Sequence, residues 1–332
     1  MTTRSAVLRL CIMVCAACAA LGATELVVAR LVGYPAYPPP RMIRLDDGLG
    51  SYSDMAWESP HARVWNVEGG GIIHEYNNIG LSGSDVRVTP ASRYVFVLGD
   101  SYVEAQQVSP REAATSVFQR ALDSAGEDLQ VLNLGIRKSD PYVSWYRLKF
   151  FERSFHPSYV VLVMEQYYAN WLSGYAQPLS FRIPASFGES VPATGLHAVV
   201  ETLRKRSSLC NILTVGFYAN DVLDLIQGPR RKGAEEPALR DRDEITDALR
   251  ACLRRFRDEY GPRFMAVSIG RDPGSDSLMS EFCRTEGIAF GTDPAVSLPE
   301  NHIAGRGHLN VQGNLELGTF LFETYRRHRS GR

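Results

Sequence analysis

The chain has 332 residues, of which 45% are hydrophobic and 22% are charged. This length allows one large α/β domain with an appendage, or two domains of ordinary size. The formal net charge is −1 and the basic residues are spread along the chain, so no nucleic-acid partner is expected.

Residues 1–30 have the pattern of an export signal. Arg4 and Arg9 form a positive flank, and an apolar run follows from residue 10 to residue 23, with Glu25 just beyond it. The run fits a cleaved signal peptide and, when it is extended past Glu25, an uncleaved N-terminal membrane anchor. Both alternatives predict a folded part that faces the periplasm or the cell exterior, either anchored to the membrane or secreted.

Residues 31–92 are predicted to be a spacer followed by a lead-in to the main domain. The spacer contains PAYPPP at positions 35–40, which is typical of a stiff, polyproline-like linker. Residues 41–92 contain many Gly, Asn and Ser residues and have weak periodicity. This pattern indicates short strands and loops.

From residue 93 to residue 330 the sequence alternates between strand and helix patterns, with an insertion at about 170–243. Ser109 and Glu112 have the spacing of a capping box, which predicts the start of the first helix. The predicted elements are strand 94–98, helix 109–125, strand 129–135, helix 142–155, strand 159–164, helix 244–259, strand 263–270, helix 277–286, strand 288–290 and helix 311–327. This order predicts an α/β domain with a parallel sheet of about five strands.

Three loops of the predicted sheet carry polar residues suited to chemistry. The motif GDS at 99–101 follows the first strand, NLG at 133–135 ends the second, and GHLN at 307–310 precedes the last helix. Ligands of open parallel sheets bind beyond the carboxyl ends of the strands. A serine and a histidine in two such loops form a workable nucleophile and base, because such pairs meet in space rather than in sequence.

These motifs resemble those of the SGNH, or GDSL-type, hydrolases, in which GDS, NLG and HLN occur in this order. The lead-in motif NNIGLSG at 77–83 and the N-terminal segment further resemble the bacterial membrane-anchored branch that is linked to polysaccharide O-acetylation and deacetylation. The resemblance covers about 75–170 and 260–327. It implies a flavodoxin-like three-layer α/β/α sandwich.

The resemblance also implies a role for each matched residue. Ser101 would be the nucleophile, and its own N–H together with that of Gly135 would bind the oxyanion of a tetrahedral intermediate. His308 would take the proton of Ser101 and return it to the leaving alkoxide. This chemistry requires no cofactor and no metal ion.

One departure from the family pattern concerns the acid that orients the base. The family places an Asp two or three residues before the histidine, where this chain has Gly305 and Arg306. An arginine at that point would disfavour the imidazolium form of His308. No triad acid is therefore identified, although Asp293 or Glu300 could approach from the preceding loop.

A second departure concerns the oxyanion hole. The family has Gly-x-Asn-Asp after the third strand, and this chain lacks that motif there. Asn170 or Gln166 could supply the missing carboxamide. The neighbouring Tyr167, Tyr168 and Trp171 are interpreted either as packing residues or as a stacking platform for a sugar.

Two further questions stay open in the sequence. His302 is a rival of His308 for the role of base. Cys252 and Cys283 lie on predicted helices that flank one strand, so they could form a disulfide bond or remain free thiols.

The combined interpretation is a serine esterase or O-acyltransferase that acts on O-acyl groups, with O-acetyl favoured, of an exported polysaccharide through an acyl-serine intermediate. The alternative is a catalytically degenerate domain of the same fold, which binds glycan or serves as a scaffold in a polysaccharide-assembly complex. The expected partners are an acylated polysaccharide or oligosaccharide, the membrane through residues 1–30 and, in the alternative, such a complex.

Overall fold

A computed structural model describes residues 3–30, 41–46, 52–58, 60–66, 68–89, 91–137, 139–165, 188–189, 199, 207, 210, 247–269, 273–304 and 307–331. The chain divides into two compact units. The smaller unit comprises Met1–Pro39, Arg63–Trp65 and Pro192–Lys232, and the larger unit comprises Pro40–Ala62, Asn66–Val191 and Gly233–Arg332. Residues 66–92, predicted as a lead-in, therefore belong to the same unit as the predicted α/β sheet.

The smaller unit contains the N-terminal helix. This helix, α1, spans Thr3–Arg30, and the carboxylate of Glu25 accepts a hydrogen bond from Ser207 Oγ at 2.7 Å. Among the described residues, no helix combines the length and the apolar character that a membrane crossing requires. The choice between a signal peptide and an anchor for residues 1–30 stays a prediction.

Short strands form the lead-in, as the sequence predicts. They are β1 (Arg41–Asp46), β2 (Tyr52–Trp57), β3 (Arg63–Asn66) and β4 (Ile72–Glu75). β1 and β2 pair in the antiparallel direction. The turn between β3 and β4 is the part of the lead-in that matters for the site.

Five parallel strands form the main sheet. They are β5 (Tyr94–Leu98), β6 (Gln130–Asn133), β7 (Pro157–Glu165), β9 (Phe264–Ile269) and β10 (Ala289–Thr292). The two-residue strand β8 (Gly188–Glu189) pairs with β1 instead. The order across the main sheet is β10-β9-β7-β5-β6, which is the order of flavodoxin-like folds. The predicted parallel sheet is confirmed.

The helices of the larger unit follow the strands along the chain. They are α2 (Ser101–Glu104), α3 (Ala114–Ser124), α4 (Pro141–Phe151), α5 (Asp247–Tyr260), α6 (Pro273–Thr285) and α7 (Val311–Arg329). Short 3₁₀ turns span Gly261–Arg263, Pro294–Ser297 and Pro299–Asn301. The predicted last helix is confirmed and extends two residues further.

Two hydrophobic cores, one on each face of the sheet, give the predicted three layers. Phe96 and Leu98 of β5 lie in the core that includes side chains of α4, α5 and α6. Val95 and Val97 lie in the core that includes side chains of α3 and α7. Alternate residues of β5 thus enter opposite cores, because successive side chains of a strand point to opposite faces.

The first predicted helix starts later than the capping-box pattern indicates. The N–H of Ser109 does approach the Glu112 carboxylate, at 3.3 Å, but Ala113 has an extended ψ of 144° and the helix begins at Ala114. The N–H of Ala114 is donated to Asn314 Oδ1, 200 residues further along the chain, at 3.1 Å. A tertiary contact therefore caps this helix, and the predicted start at Ser109 is wrong.

The disulfide alternative for Cys252 and Cys283 is wrong, because both residues are free thiols. Both are fully buried among the apolar side chains of one core. Burial raises the pKa of the Cys283 thiol to about 12 and that of Cys252 well above its ordinary value. They act as small hydrophobic residues in this core.

Candidate active site

Ser101 stands at the carboxyl end of a buried strand, as predicted. β5 ends at Leu98, and Asp100 caps α2, whose first residue is Ser101. The Asp100 carboxylate accepts a hydrogen bond from the N–H of Tyr102 at 2.9 Å. Asp100 thus fixes the backbone on which the Ser101 hydroxyl is presented.

The glycine before this cap is required by close packing. A Cβ atom on Gly99 would lie 2.5 Å from Val103 Cγ2 and 2.9 Å from the carbonyl oxygen of Val163. Contacts of this length do not occur in real structures, and the carbonyl belongs to the backbone of a neighbouring strand. Gly99 therefore allows the chain to turn tightly from β5 into α2.

His308 lies on a loop that the last helix holds in place. His302 and Leu309 form an antiparallel bridge, and the N–H of Ile303 donates to the carbonyl of His308 at 2.8 Å. Asn310 caps α7, because its side chain accepts a hydrogen bond from the N–H of Gly313 at 2.9 Å. The HLN motif thus combines the candidate base with the cap that positions it.

The structure brings the predicted nucleophile and base together. His308 Nε2 lies 2.9 Å from Ser101 Oγ, which is hydrogen-bond distance, although 207 residues separate the two positions in the chain. The rival, His302, instead uses its Nδ1 to contact the carbonyl of Gly307 at 2.6 Å. His308 is therefore the histidine that the structure places at hydrogen-bond distance from Ser101, and its role as the base stays a prediction.

The second ring nitrogen of His308 faces a carboxylate that the sequence analysis missed. His308 Nδ1 lies 2.6 Å from Glu68 Oε1. The expectation that Asp293 or Glu300 supplies this carboxylate is wrong. The Asp293 side chain instead caps a 3₁₀ turn by accepting the N–H of Ala295 at 2.8 Å.

Glu68 belongs to a tight turn between β3 and β4. The side chain of Asn66 accepts the N–H of Gly69 at 3.0 Å, and its carbonyl accepts the N–H of Gly71 at 3.1 Å. A Cβ atom on Gly69 would lie 2.1 Å from the carbonyl oxygen of Gln107. The glycine lets the turn lie directly against the loop that follows α2, and this contact places Glu68 beside His308.

The arrangement Glu68, His308 and Ser101 has the geometry of a catalytic triad. A carboxylate can only accept a hydrogen bond, so Nδ1 of His308 carries the proton and Nε2 is free to accept the proton of Ser101. The His308 and Glu68 side chains are 31% and 22% exposed. The triad therefore lies at the surface of the unit, where a substrate can reach it.

Gly135 is close to the nucleophile helix but does not offer a free N–H. Its N–H donates to Asn133 Oδ1 at 2.9 Å, and a Cβ atom on it would lie 2.4 Å from the backbone nitrogen of Glu104. In this structure the Asn133 carboxamide accepts that N–H, and the role of Gly135 as an oxyanion donor stays a prediction. The residue is a close-packing glycine beneath α2.

The other predicted oxyanion donors are the N–H of Ser101 and the carboxamide of Asn170 or Gln166. The N–H of Ser101 belongs to the first residue of α2, so it has no acceptor within its own helix. It remains the predicted donor to an oxyanion. Asn170, Gln166, Arg306 and the aromatic cluster at 167–171 lie outside the described residues.

A buried carboxylate links the three segments of the site. Glu104, at the end of α2, accepts hydrogen bonds from Tyr76 Oη at 3.1 Å, from Gln106 Nε2 at 2.7 Å and from the backbone N–H of Arg137 at 2.8 Å. Tyr76 follows β4, and Arg137 follows the NLG motif. Three donors on one carboxylate hold the lead-in, the nucleophile helix and the Gly135 loop together.

A buried arginine completes the charge balance of this cluster. Burial lowers the pKa of Arg147 to about 10, while the nearby Glu104 carboxylate acts in the opposite direction. Arg147 and Glu58, both buried, line a small pocket together with Glu104, Tyr76 and the Gly135 loop. The nearby opposite charges of Arg147 and the two carboxylates offset part of the cost of burying each of them.

Comparisons with known proteins place the fold in context. No protein-family model and no curated protein matches the sequence. Among solved structures, the chain is similar to an esterase from Pseudoalteromonas sp. (10% identity, TM-score 0.42, 71% of this chain and 98% of the other). It is also similar to a lipase/acylhydrolase from Enterococcus faecalis (15% identity, TM-score 0.39, 72% of this chain and 96% of the other). A third similar structure is an acetylxylan esterase from Geobacillus stearothermophilus (13% identity, TM-score 0.36, 73% of this chain and 96% of the other).

Proposed function

We propose that this protein is a serine ester hydrolase that works through an acyl-serine intermediate. The observation that carries the proposal is the continuous chain of contacts from Glu68 Oε1 to His308 Nδ1 at 2.6 Å and from His308 Nε2 to Ser101 Oγ at 2.9 Å. Each member has the chemical character that its place requires: an orienting carboxylate, a base and a nucleophile.

The first half of the reaction forms the acyl-enzyme. Ser101 Oγ attacks the carbonyl carbon of the ester while its proton moves to His308 Nε2, and Glu68 stabilises the resulting imidazolium. The tetrahedral intermediate carries a negative oxygen, to which the N–H of Ser101 donates. The intermediate collapses when the bond to the alcohol oxygen breaks, and His308 returns its proton to the leaving alkoxide.

The second half repeats these steps with another nucleophile. A water molecule, or a hydroxyl of an acceptor, gives its proton to His308 and attacks the acyl carbon. Release of Ser101 Oγ restores the free hydroxyl, with the proton supplied by His308. Water as the nucleophile makes the protein an esterase, and a sugar hydroxyl makes it an O-acyltransferase.

We propose further that the acyl group is a short one, O-acetyl, on an exported polysaccharide. The support is the likeness of the lead-in and N-terminal segment to the membrane-anchored branch linked to polysaccharide O-acetylation. The Arg4 and Arg9 flank with its apolar run supports export, with the folded part anchored at or released from the membrane. A polysaccharide-assembly complex is a partner in the same proposal.

The alternative of a degenerate, non-catalytic domain depended on the absence of a triad acid and on the missing Gly-x-Asn-Asp motif, whose possible substitutes, Asn170 and Gln166, lie outside the described residues. Glu68 supplies a carboxylate at hydrogen-bond distance from His308. The contacts of Ser101, His308 and Glu68 among the described residues support the hydrolase over the degenerate alternative.

Replacement of Ser101 by alanine tests the proposal. The purified full chain should release acetate from acetylated glycan and p-nitrophenol from p-nitrophenyl acetate, and it should be labelled by a fluorophosphonate. Ser101→Ala should lose both turnover and labelling. The matched control is Ser124→Ala, at the exposed end of α3, which should behave as the unmodified protein. Turnover that survives in Ser101→Ala would contradict the proposal.

A further inference from the structure

Tyr102, the residue after the nucleophile, connects the nucleophile helix to the loop of the base. The residue is buried, with 5% of its surface exposed. Its hydroxyl donates to the carbonyl oxygen of Gly307 at 2.8 Å, and Gly307 directly precedes His308. The ring centroids of Tyr102 and His308 are 5.9 Å apart.

The Gly307 carbonyl is held from two sides. It accepts the Tyr102 hydroxyl and also lies 2.6 Å from His302 Nδ1. Gly307 has a φ of +84°, a left-handed conformation that glycine adopts without strain. The peptide that precedes His308 is therefore fixed by two side-chain hydrogen bonds at the point where the loop turns.

A third contact places the Tyr102 hydroxyl relative to the sheet. Glu165 Oε1, at the end of β7, lies 3.2 Å from this hydroxyl. A tyrosine hydroxyl has one proton, so it donates to one acceptor at a time. The contact with Gly307 is the shorter of the two and is the one that reaches the loop of the base.

We propose that Tyr102 is a positioning residue, which holds the His308 loop against the Ser101 helix and thereby fixes the distance between Nε2 and Oγ. The inference rests on the proposed hydrolase function. Ser101 and Tyr102 are adjacent at the start of α2. The hydrogen bond from Tyr102 to Gly307 therefore fixes His308, the residue after Gly307, relative to Ser101. Catalytic steps are sensitive to displacements of about 1 Å between such groups.

Tyr102→Phe tests this proposal, since it removes one hydroxyl and keeps the ring. We expect kcat for p-nitrophenyl acetate to fall about tenfold, with KM within about twofold of the unmodified value. The rate of inactivation by a fluorophosphonate should fall by a similar factor. The matched control is Tyr94→Phe, because the Tyr94 hydroxyl also donates to a backbone carbonyl, that of Arg87 at 3.1 Å, far from the triad. The control should keep its kcat.

Proton NMR gives a readout that a purely structural role would not change. In the unmodified protein the proton shared by Glu68 and His308 should give a downfield signal, which should broaden or disappear in Tyr102→Phe and persist in Tyr94→Phe. An unchanged kcat and an unchanged signal in Tyr102→Phe would overturn the proposal. A raised KM with unchanged kcat would also overturn it, since that result assigns Tyr102 to substrate binding.

A second variant keeps the proposal testable if Tyr102→Phe does not fold. His302→Leu removes the other hydrogen bond to Gly307 and should also lower kcat with little change in KM, whereas an unchanged kcat would count against a fixed loop. A failure of the proposed hydrolase function can be distinguished from a failure of the proposal about Tyr102. If the unmodified protein shows no Ser101-dependent turnover and no labelling, the hydrolase assignment is wrong before any variant is compared.

Discussion

Glu68→Gln keeps the size of the side chain but removes the negative charge that faces His308 Nδ1. In a serine protease, loss of the charge on the orienting acid lowers turnover by about 10⁴. The Glu68 and His308 side chains here are 22% and 31% exposed, so water can partly replace the lost acceptor. The carbonyl of the introduced glutamine can also accept the Nδ1 proton. We therefore expect kcat/KM to fall by a factor of about 10² to 10³.

The assay compares hydrolysis of p-nitrophenyl acetate with the rate of fluorophosphonate labelling of Ser101. Both should fall by similar factors in Glu68→Gln, because both depend on His308 as the base. Glu300→Gln is the control, since Glu300 is an exposed carboxylate of the loop before His308 and should leave both rates unchanged. The reasoning is refuted if Glu68→Gln keeps more than about a third of the unmodified activity, or if Glu300→Gln loses more than it does.

Two further predictions concern the buried polar groups behind the triad. Glu104→Gln places an amide among the donors from Tyr76 and Arg137, so the free energy of unfolding should fall by about 1–3 kcal/mol in urea titrations; an unchanged midpoint would contradict the network. Burial lowers the pKa of His74 below its ordinary 6.5. Below pH 6.5 the unfolded chain therefore binds more protons at His74 than the folded chain does. The contribution of neutral, buried His74 to the free energy of unfolding is complete above pH 6.5 and is lost as the pH falls. His74→Gln should therefore flatten the loss of stability on acidification relative to the exposed control His156→Gln; parallel curves would show that His74 does not contribute.

The strands and the pairing of Ser101 with His308 could be predicted from the sequence. YVFVL is a continuous apolar run rich in β-formers, and the alternation of such runs with helix patterns requires a parallel sheet. Parallel strands bring their carboxyl ends to one edge, so a serine after the first strand is expected near other loops of that edge. The HLN motif before the last helix located the proposed base, and its Asn310 marks the start of that helix as its cap.

The acid could not be found in the same way. Glu68 lies 240 residues before His308 and outside the alternating pattern, in a segment with weak periodicity. The signal that was available is the run Glu68-Gly69-Gly70-Gly71. Three glycines after a carboxylate indicate a turn that must approach another backbone closely, but they do not say which backbone.

The hydrogen bond of the Gly135 N–H could not be predicted for a related reason. The NLG motif correctly predicted a glycine beside the nucleophile helix, where a Cβ atom would meet the backbone of Glu104. Whether its N–H is available depends on the rotamer of Asn133, two residues earlier. The Asn133 side chain is oriented by two tertiary hydrogen bonds, because its amide group donates to the carbonyl of Val103 and to the hydroxyl of Thr115.

The sequence by itself determined the parallel α/β fold and the loops of the proposed nucleophile and the proposed base, because periodicity and caps are local properties of the chain. Only the tertiary structure decided which carboxylate orients His308. That choice depends on the Gly69 turn lying against the Gln107 carbonyl and on Tyr76 reaching Glu104. Such contacts between distant segments leave no periodic pattern in either segment, because each contact depends on the shape and the hydrogen-bonding groups of both segments at once.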